Sequence, residues 1–230
     1  MLALVPALAG CGGGTHAPDQ AARRVALMRP AVGPALDPQR LPALPREFLA
    51  VRRGGETVLV RLDGSIIGHL RGLRLTPAMN GDAPVLLGHP RSFTIDRAHR
   101  RLAPPRPPEA SSAGLARRVA PASRHGLWIA AFRSPDGKRL LLQWSDECET
   151  PYAFLAPAGG GKATLVTGRR ALGSAPESLA LGWTRDGRAL VLLPHGACAA
   201  GSNSPGVYAF AADGARRLVA HGYAAAFFRG

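Results

Sequence analysis

One stretch of this chain is nearly copied in another, and that copy limits the fold more tightly than composition does. Residues 134–148 read SPDGKRLLLQWSDEC and residues 184–198 read TRDGRALVLLPHGAC, so an Asp-Gly pair, a basic residue, an apolar run and a terminal cysteine recur at matching positions. A repeat near 50 residues means one supersecondary unit used more than once, and such a unit buries its faces only against a neighbour. Around the copies lie short apolar or alternating runs at 127–132, 139–144, 152–156 and 163–167, and again at 178–183, 189–193, 206–210 and 216–220. Asp136-Gly137 and Asp186-Gly187 separate the first two runs of each unit. Asp-Gly between apolar runs predicts a hairpin with a tight primed turn, because such a turn needs positive φ at its central residues and Gly adopts it freely. Four strands per unit predict an all-β fold: a small β-propeller of four-stranded antiparallel blades.

Elsewhere the pattern is fainter. Runs at 47–52, 57–62 and 65–70, with Asp63-Gly64 before the last, make three strands of a comparable unit, and 92–102 makes part of another. Between Thr15 and Pro45 stand Pro18, Pro30, Pro34, Pro38, Pro42 and Pro45, which remove backbone donors and block helix. Residues 11–45 therefore read as a Gly/Pro-rich tether and 46–230 as the folded domain, with a second Pro-rich run, 103–113, as a long loop inside it. The domain has room for about four blades, near the minimum for a ring, and an incomplete or distorted ring is the alternative.

The first residues carry the most specific short motif. Residues 1–10 are apolar and uncharged, and Leu8-Ala9-Gly10-Cys11 is followed by three glycines. This resembles the lipobox of bacterial lipoproteins, which implies a signal peptide over 1–10, cleavage before Cys11, and a diacylglycerol on the Cys11 sulfur. A charged n-region is missing and the apolar stretch is short. The alternative is a frayed apolar end with a stray cysteine. The tri-glycine suits a link between a lipid and a domain.

Ser134-Pro135-Asp136-Gly137-Lys138 and Trp183-Thr184-Arg185-Asp186-Gly187-Arg188 resemble the W-S-P-D-G-K/R signature of TolB-type, WD-like β-propeller repeats. The resemblance covers 127–221 well, 47–70 in part and 83–126 poorly. It implies blades turned by Asp-Gly between their first two strands, and it implies no particular activity, since a fold is not a function. In neighbouring blades Cys148 and Cys198, each 12 residues after its unit's aspartate, fall on one rim after the second strand. A disulfide between them, a clasp of two blades, is the expectation for an exported chain. Free thiols are one alternative. The other is a metal held by Cys148, His195 and Cys198 with Asp146, Glu147 or Glu149 nearby, which lacks a second matched ligand pair.

Charge and the remaining motifs narrow the function. The formal net charge is +14, yet Lys occurs only at Lys138 and Lys162, and the arginines are scattered in ones and twos without interleaved aromatics. Nucleic-acid binding is not expected from that arrangement. Gly159-Gly160-Gly161-Lys162 lacks the Ser or Thr and the earlier Gly of a phosphate loop and reads as a hairpin turn. No Gly-x-Ser-x-Gly elbow occurs, and the histidines are isolated. No cofactor, no metal and no catalytic constellation is assigned. The expectation is a noncatalytic lipoprotein, anchored at the outer face of the bacterial cytoplasmic membrane, whose propeller binds an envelope protein or an anionic cell-wall polymer. The competing expectation is a lyase, lactonase or glycan hydrolase acting in the funnel, which requires convergent carboxylates or histidines at the inner strand ends.

Overall fold

The computed structural model describes residues 33–76, 85–88, 91–105, 126–146, 150–168, 177–193 and 205–229, and among them there are strands but no helices. β1 (Glu47–Arg53), β2 (Glu56–Arg61) and β3 (Ile66–Leu70) run antiparallel. A second sheet is β4 (Arg74–Thr76), β5 (Val85–Gly88), β6 (Arg91–Asp96) and β7 (Arg101–Ala103); a third is β8 (Gly126–Arg133), β9 (Arg139–Asp146), β10 (Pro151–Pro157) and β11 (Thr164–Leu165). The fourth is β12 (Leu179–Trp183), β13 (Ala189–Leu193), β14 (Gly206–Phe210) and β15 (Arg216–His221). β16 (Ala225–Arg229) then returns to the first sheet and pairs with β1, Glu47 opposite Arg229 and Val51 opposite Ala225. Four four-stranded antiparallel sheets result, a four-bladed propeller-like arrangement. The strands β16, β4, β8 and β12 stand at one edge of their blades and neighbour one another, β12 touching β8 and β16, and β16 touching β4. They form the inner wall.

Period-two alternation of side chains explains why these strands are apolar nearly throughout. Phe48 and Ala50 of β1 point toward the second blade, where they join Leu75, Leu86, Ile95 and Leu102. Leu49 and Val51 point the other way, into a cluster with Leu190, Leu192 and Val207 of the fourth blade. Trp183, Val191 and Leu193 meet Leu141 and Ala153 of the third. A blade buried on both faces has no solvent side on which to alternate. None of the clusters among the described residues joins the second blade to the third.

Between the third and fourth blades one polar side chain is buried with its partners. Gln143 in β9 donates to the carbonyls of Tyr152 and Ser178 at 3.3 Å each and accepts the Ala180 N–H at 2.6 Å. Buried amides are tolerated when satisfied in this way.

The folded region begins before Arg46. Pro34 accepts the His69 N–H at 2.9 Å, Leu36 N–H donates to the His69 carbonyl at 2.9 Å, Leu102 N–H donates to Pro38 at 2.8 Å and Leu41 N–H to Arg100 at 2.6 Å. Leu41 is fully buried. Residues 34–41, the distal part of the expected tether, thus form a strap across the outer strands β3 and β7. Proline forfeits its N–H but keeps its carbonyl, and the outer edge of a sheet presents unpaired donors that such carbonyls can take. Gly68 makes the close approach feasible, because a Cβ there would sit 2.5 Å from Leu36 Cδ2.

Candidate functional site

The Asp-Gly turns set the geometry of one end of the ring. Ser134 accepts the Gly137 N–H at 2.9 Å, the Ser134 hydroxyl accepts the Arg139 N–H at 2.9 Å, and Asp136 Oδ1 accepts the Lys138 N–H at 3.1 Å. Thr184, Asp186, Gly187 and Arg188 repeat the arrangement, with Gly187 N–H on Thr184 at 3.0 Å and the Thr184 hydroxyl bonded to Asp186. Arg61–Ser65 and Ala211–Ala215 close in the same way around Asp63 and Asp213. These are not the primed two-residue turns expected from sequence. Positive φ falls on Gly137 (71°), Gly187 (77°), Gly64 (93°) and Gly214 (85°) but on none of the aspartates. Each is a four-residue turn whose last residue is left-handed, a geometry that also fits the strand twist. The carboxylates are thereby spent on holding turns. The Ser134 hydroxyl, and then the Lys138 N–H, hold the Asp136 carboxyl below the usual carboxylate range, and Ser65 does the same for Asp63.

Because strands alternate in direction, the turn between the first and second strands of a blade and the turn between the third and fourth emerge at the same end. Side chains join these turns from blade to blade. Arg139 donates to the Gly187 carbonyl at 3.0 Å, and its guanidinium lies over the Trp183 ring, 4.8 Å from the centroid. Arg217 donates to Leu62 at 3.1 Å, and Arg97 donates to Pro45 at 2.6 Å and to Arg46 at 2.8 Å. The Arg185 backbone N–H donates to Glu47 Oε1 at 2.9 Å. All four blades therefore contribute to one turn end on which basic residues outnumber carboxylates.

Arg46, Lys138, Arg185 and Arg229 are exposed there, and their side chains make no hydrogen bond or ion pair among the described residues. Arg46, Arg185 and Arg229 converge at Glu47, which follows Arg46, faces Arg229 across the ladder and holds the Arg185 backbone. One carboxylate against three guanidinium groups leaves a surplus of two positive charges. Sequence inspection missed the cluster because its members are far apart in the chain, and dispersed arginines gave no signal until the blades were placed.

The opposite end differs. The exposed large apolar residues Leu87, Leu127 and Tyr223 all lie there, at the ends of β5, β8 and the connection into β16. His69 is buried there under the strap, with Nε2 4.0 Å from Glu56 and Nδ1 without a hydrogen-bond partner. The inner strands read RLT, GLWIAAFR, LALGW and AAFFR, without carboxylate or imidazole.

Asp136, Gly137, Asp186 and Gly187 are placed together at the turn end. Cys11, Cys148 and Cys198 lie outside the described residues, as do Glu147, Glu149 and His195 of the metal alternative and most of the loop 103–113. Asp146 is described and accepts the Thr150 N–H at 2.7 Å. Among the described residues no three histidine, cysteine or carboxylate side chains group as metal ligands would, and no helix is long and apolar enough to cross a membrane.

No family model and no curated protein matches the chain. A structure designated TolB from Agrobacterium tumefaciens is similar over 77% of this chain and 55% of its own, with 15% identity and a TM-score of 0.31. The chain thus spans about half the length of that protein, and a likeness so distant transfers neither family nor partner.

Proposed function

We propose that this chain is a noncatalytic binding protein, a TolB-like propeller anchored through Cys11 to the outer face of the cytoplasmic membrane, which engages an envelope protein or an anionic envelope polymer. The observation that carries the reading is the separation of chemistries. The described inner strands carry no carboxylate or imidazole, whereas the turn end gathers exposed basic residues of several blades around the single carboxylate of Glu47. A site for proton transfer needs titratable groups within hydrogen-bond reach of a substrate. A binding end needs only exposed complementary groups on a rigid frame. The clasp between Cys148 and Cys198 belongs to the same proposal, since an oxidising compartment favours it.

Intact mass of the chain from the membrane fraction, alkylated with and without prior reductant, tests it. The expected result is a diacylglycerol adduct on Cys11, with Cys148 and Cys198 alkylated only after reduction. A soluble chain with unmodified Cys11 and both other thiols open to alkylation rejects anchoring and clasp together.

A further inference from the structure

We infer that the turn end of the ring is a docking surface for a flexible phosphodiester polymer without bases, and that Arg46, Arg185 and Arg229 are its central contacts; this rests on the binding reading above. Three observations converge. The three arginines come from two blades, and their backbones are brought together where β16 pairs with β1, by the ladder between those strands and by the Glu47 bond to the Arg185 N–H. The carboxylate in that arrangement, Glu47, accepts the Arg185 backbone N–H and makes no ion pair with the three side chains among the described residues, so one negative charge stands against three positive ones. The basic track also continues outward on both sides. Arg97 is tied to Arg46 through its carbonyl, and Lys138 is beside Arg139, which reaches Gly187 of the neighbouring turn.

Guanidinium recognises phosphate oxygens through paired N–H donors, and a row of such groups gains affinity by releasing counterions from a polyanion. The choice between polyanions follows from the aromatics. Sequence-tolerant binding of single-stranded nucleic acid uses exposed rings as stacking platforms. Among the described residues the exposed large aromatic side chain is Tyr223, at the opposite end, and the exposed imidazole of His99 at the turn end is engaged by Asp96. A polymer of alkyl phosphodiesters asks for charge alone.

The test is titration of the full chain, in mild detergent, with fluorescently labelled poly(glycerol phosphate) at several salt concentrations between about 50 and 200 mM. The triple variant Arg46→Gln, Arg185→Gln, Arg229→Gln should bind about tenfold more weakly at the lowest salt and lower the slope of log affinity against log salt by about 2. Arg71, Arg74 and Arg91 are exposed at the other end. The triple variant Arg71→Gln, Arg74→Gln, Arg91→Gln removes the same charge and should change binding by less than about twofold. Unaltered urea midpoints establish that both variants are folded. Absence of binding by the native chain, or equal weakening by the two triple variants, overturns the proposal. Tighter binding of single-stranded DNA of matched charge would replace the polymer by nucleic acid. Loss of binding with a lipidated Cys11 defeats this inference alone. Localised binding with an unmodified Cys11 defeats the anchor alone.

Discussion

Asp136 sits at the surface, yet its charge state is coupled to folding. Its carboxylate accepts from the Ser134 hydroxyl and the Lys138 N–H, Asp63 is held by Ser65, and Asp96 is held by His99, whose Nδ1 lies 2.8 Å away. Each folded carboxyl titrates below its unfolded value, so folding favours the ionised form. The stability this contributes is complete above the unfolded value near pH 4 and is lost as pH falls through the lower, folded values. The urea midpoint should therefore hold steady between about pH 7 and pH 5 and decline below about pH 4, and Asp136→Asn should make the decline shallower. A midpoint that rises on acidification contradicts the assignment. These aspartates were legible in the sequence wherever Gly follows. The turn at Asp96–Arg101 was not, because the left-handed position that Gly137 fills elsewhere is occupied there by Arg100, at φ 52°. Its hydrogen bond, Arg100 N–H to Arg97 at 3.4 Å, is the counterpart of Gly137 on Ser134. A sequence search for Asp-Gly passes over such a turn.

Strands were readable to the extent that turn chemistry isolated them. β12 to β15 match the runs at 178–183, 189–193, 206–210 and 216–220 within a residue at either end. β4 and β7 are three residues each, too short to show a period, and so the second blade was seen only in part. β16 was missed for another reason. Ala225–Arg229 buries its first residues on both faces, so no alternation marks it, and it follows a connection without an Asp-Gly pair. The strap along β3 was hidden by its prolines, which suggested a tether while their carbonyls were serving as acceptors. Gly68 gives a direct check. Gly68→Val should displace Leu36 and Pro34 from the β3 edge, lowering stability by about 1–3 kcal/mol, and should open residues 34–41 to a protease that cuts the native chain slowly. Gly72→Ala is a poor control, since φ at Gly72 is 67°; Gly55→Ala meets nothing within 4 Å and has no positive φ, and should leave cleavage unchanged.

At the scale of the molecule, one strand completes the first blade and joins it to two others. β16 supplies the inner strand of the first blade, stacks Phe228 on Phe48 with centroids 4.8 Å apart, and places Ala225 and Ala226 in clusters shared with the fourth and second blades. Removal of residues 225–229 strips β1 of its partner and exposes both faces of that inner edge. The expected outcome is loss of a single cooperative urea transition and gain of binding to a hydrophobic dye, whereas loss of any one side chain pair would only shift the midpoint. A truncated chain that still unfolds in one sharp step would show that the blades do not depend on closure. The pairing of β1 with β16 also sets a schedule. β1 is synthesised before every other strand of the ring and β16 after them all, so the pairing that completes the first blade is the most non-local in the fold and must wait for the others. Until β16 has emerged, β1 has no inner partner, and the last strand made is the one that finishes the blade begun first.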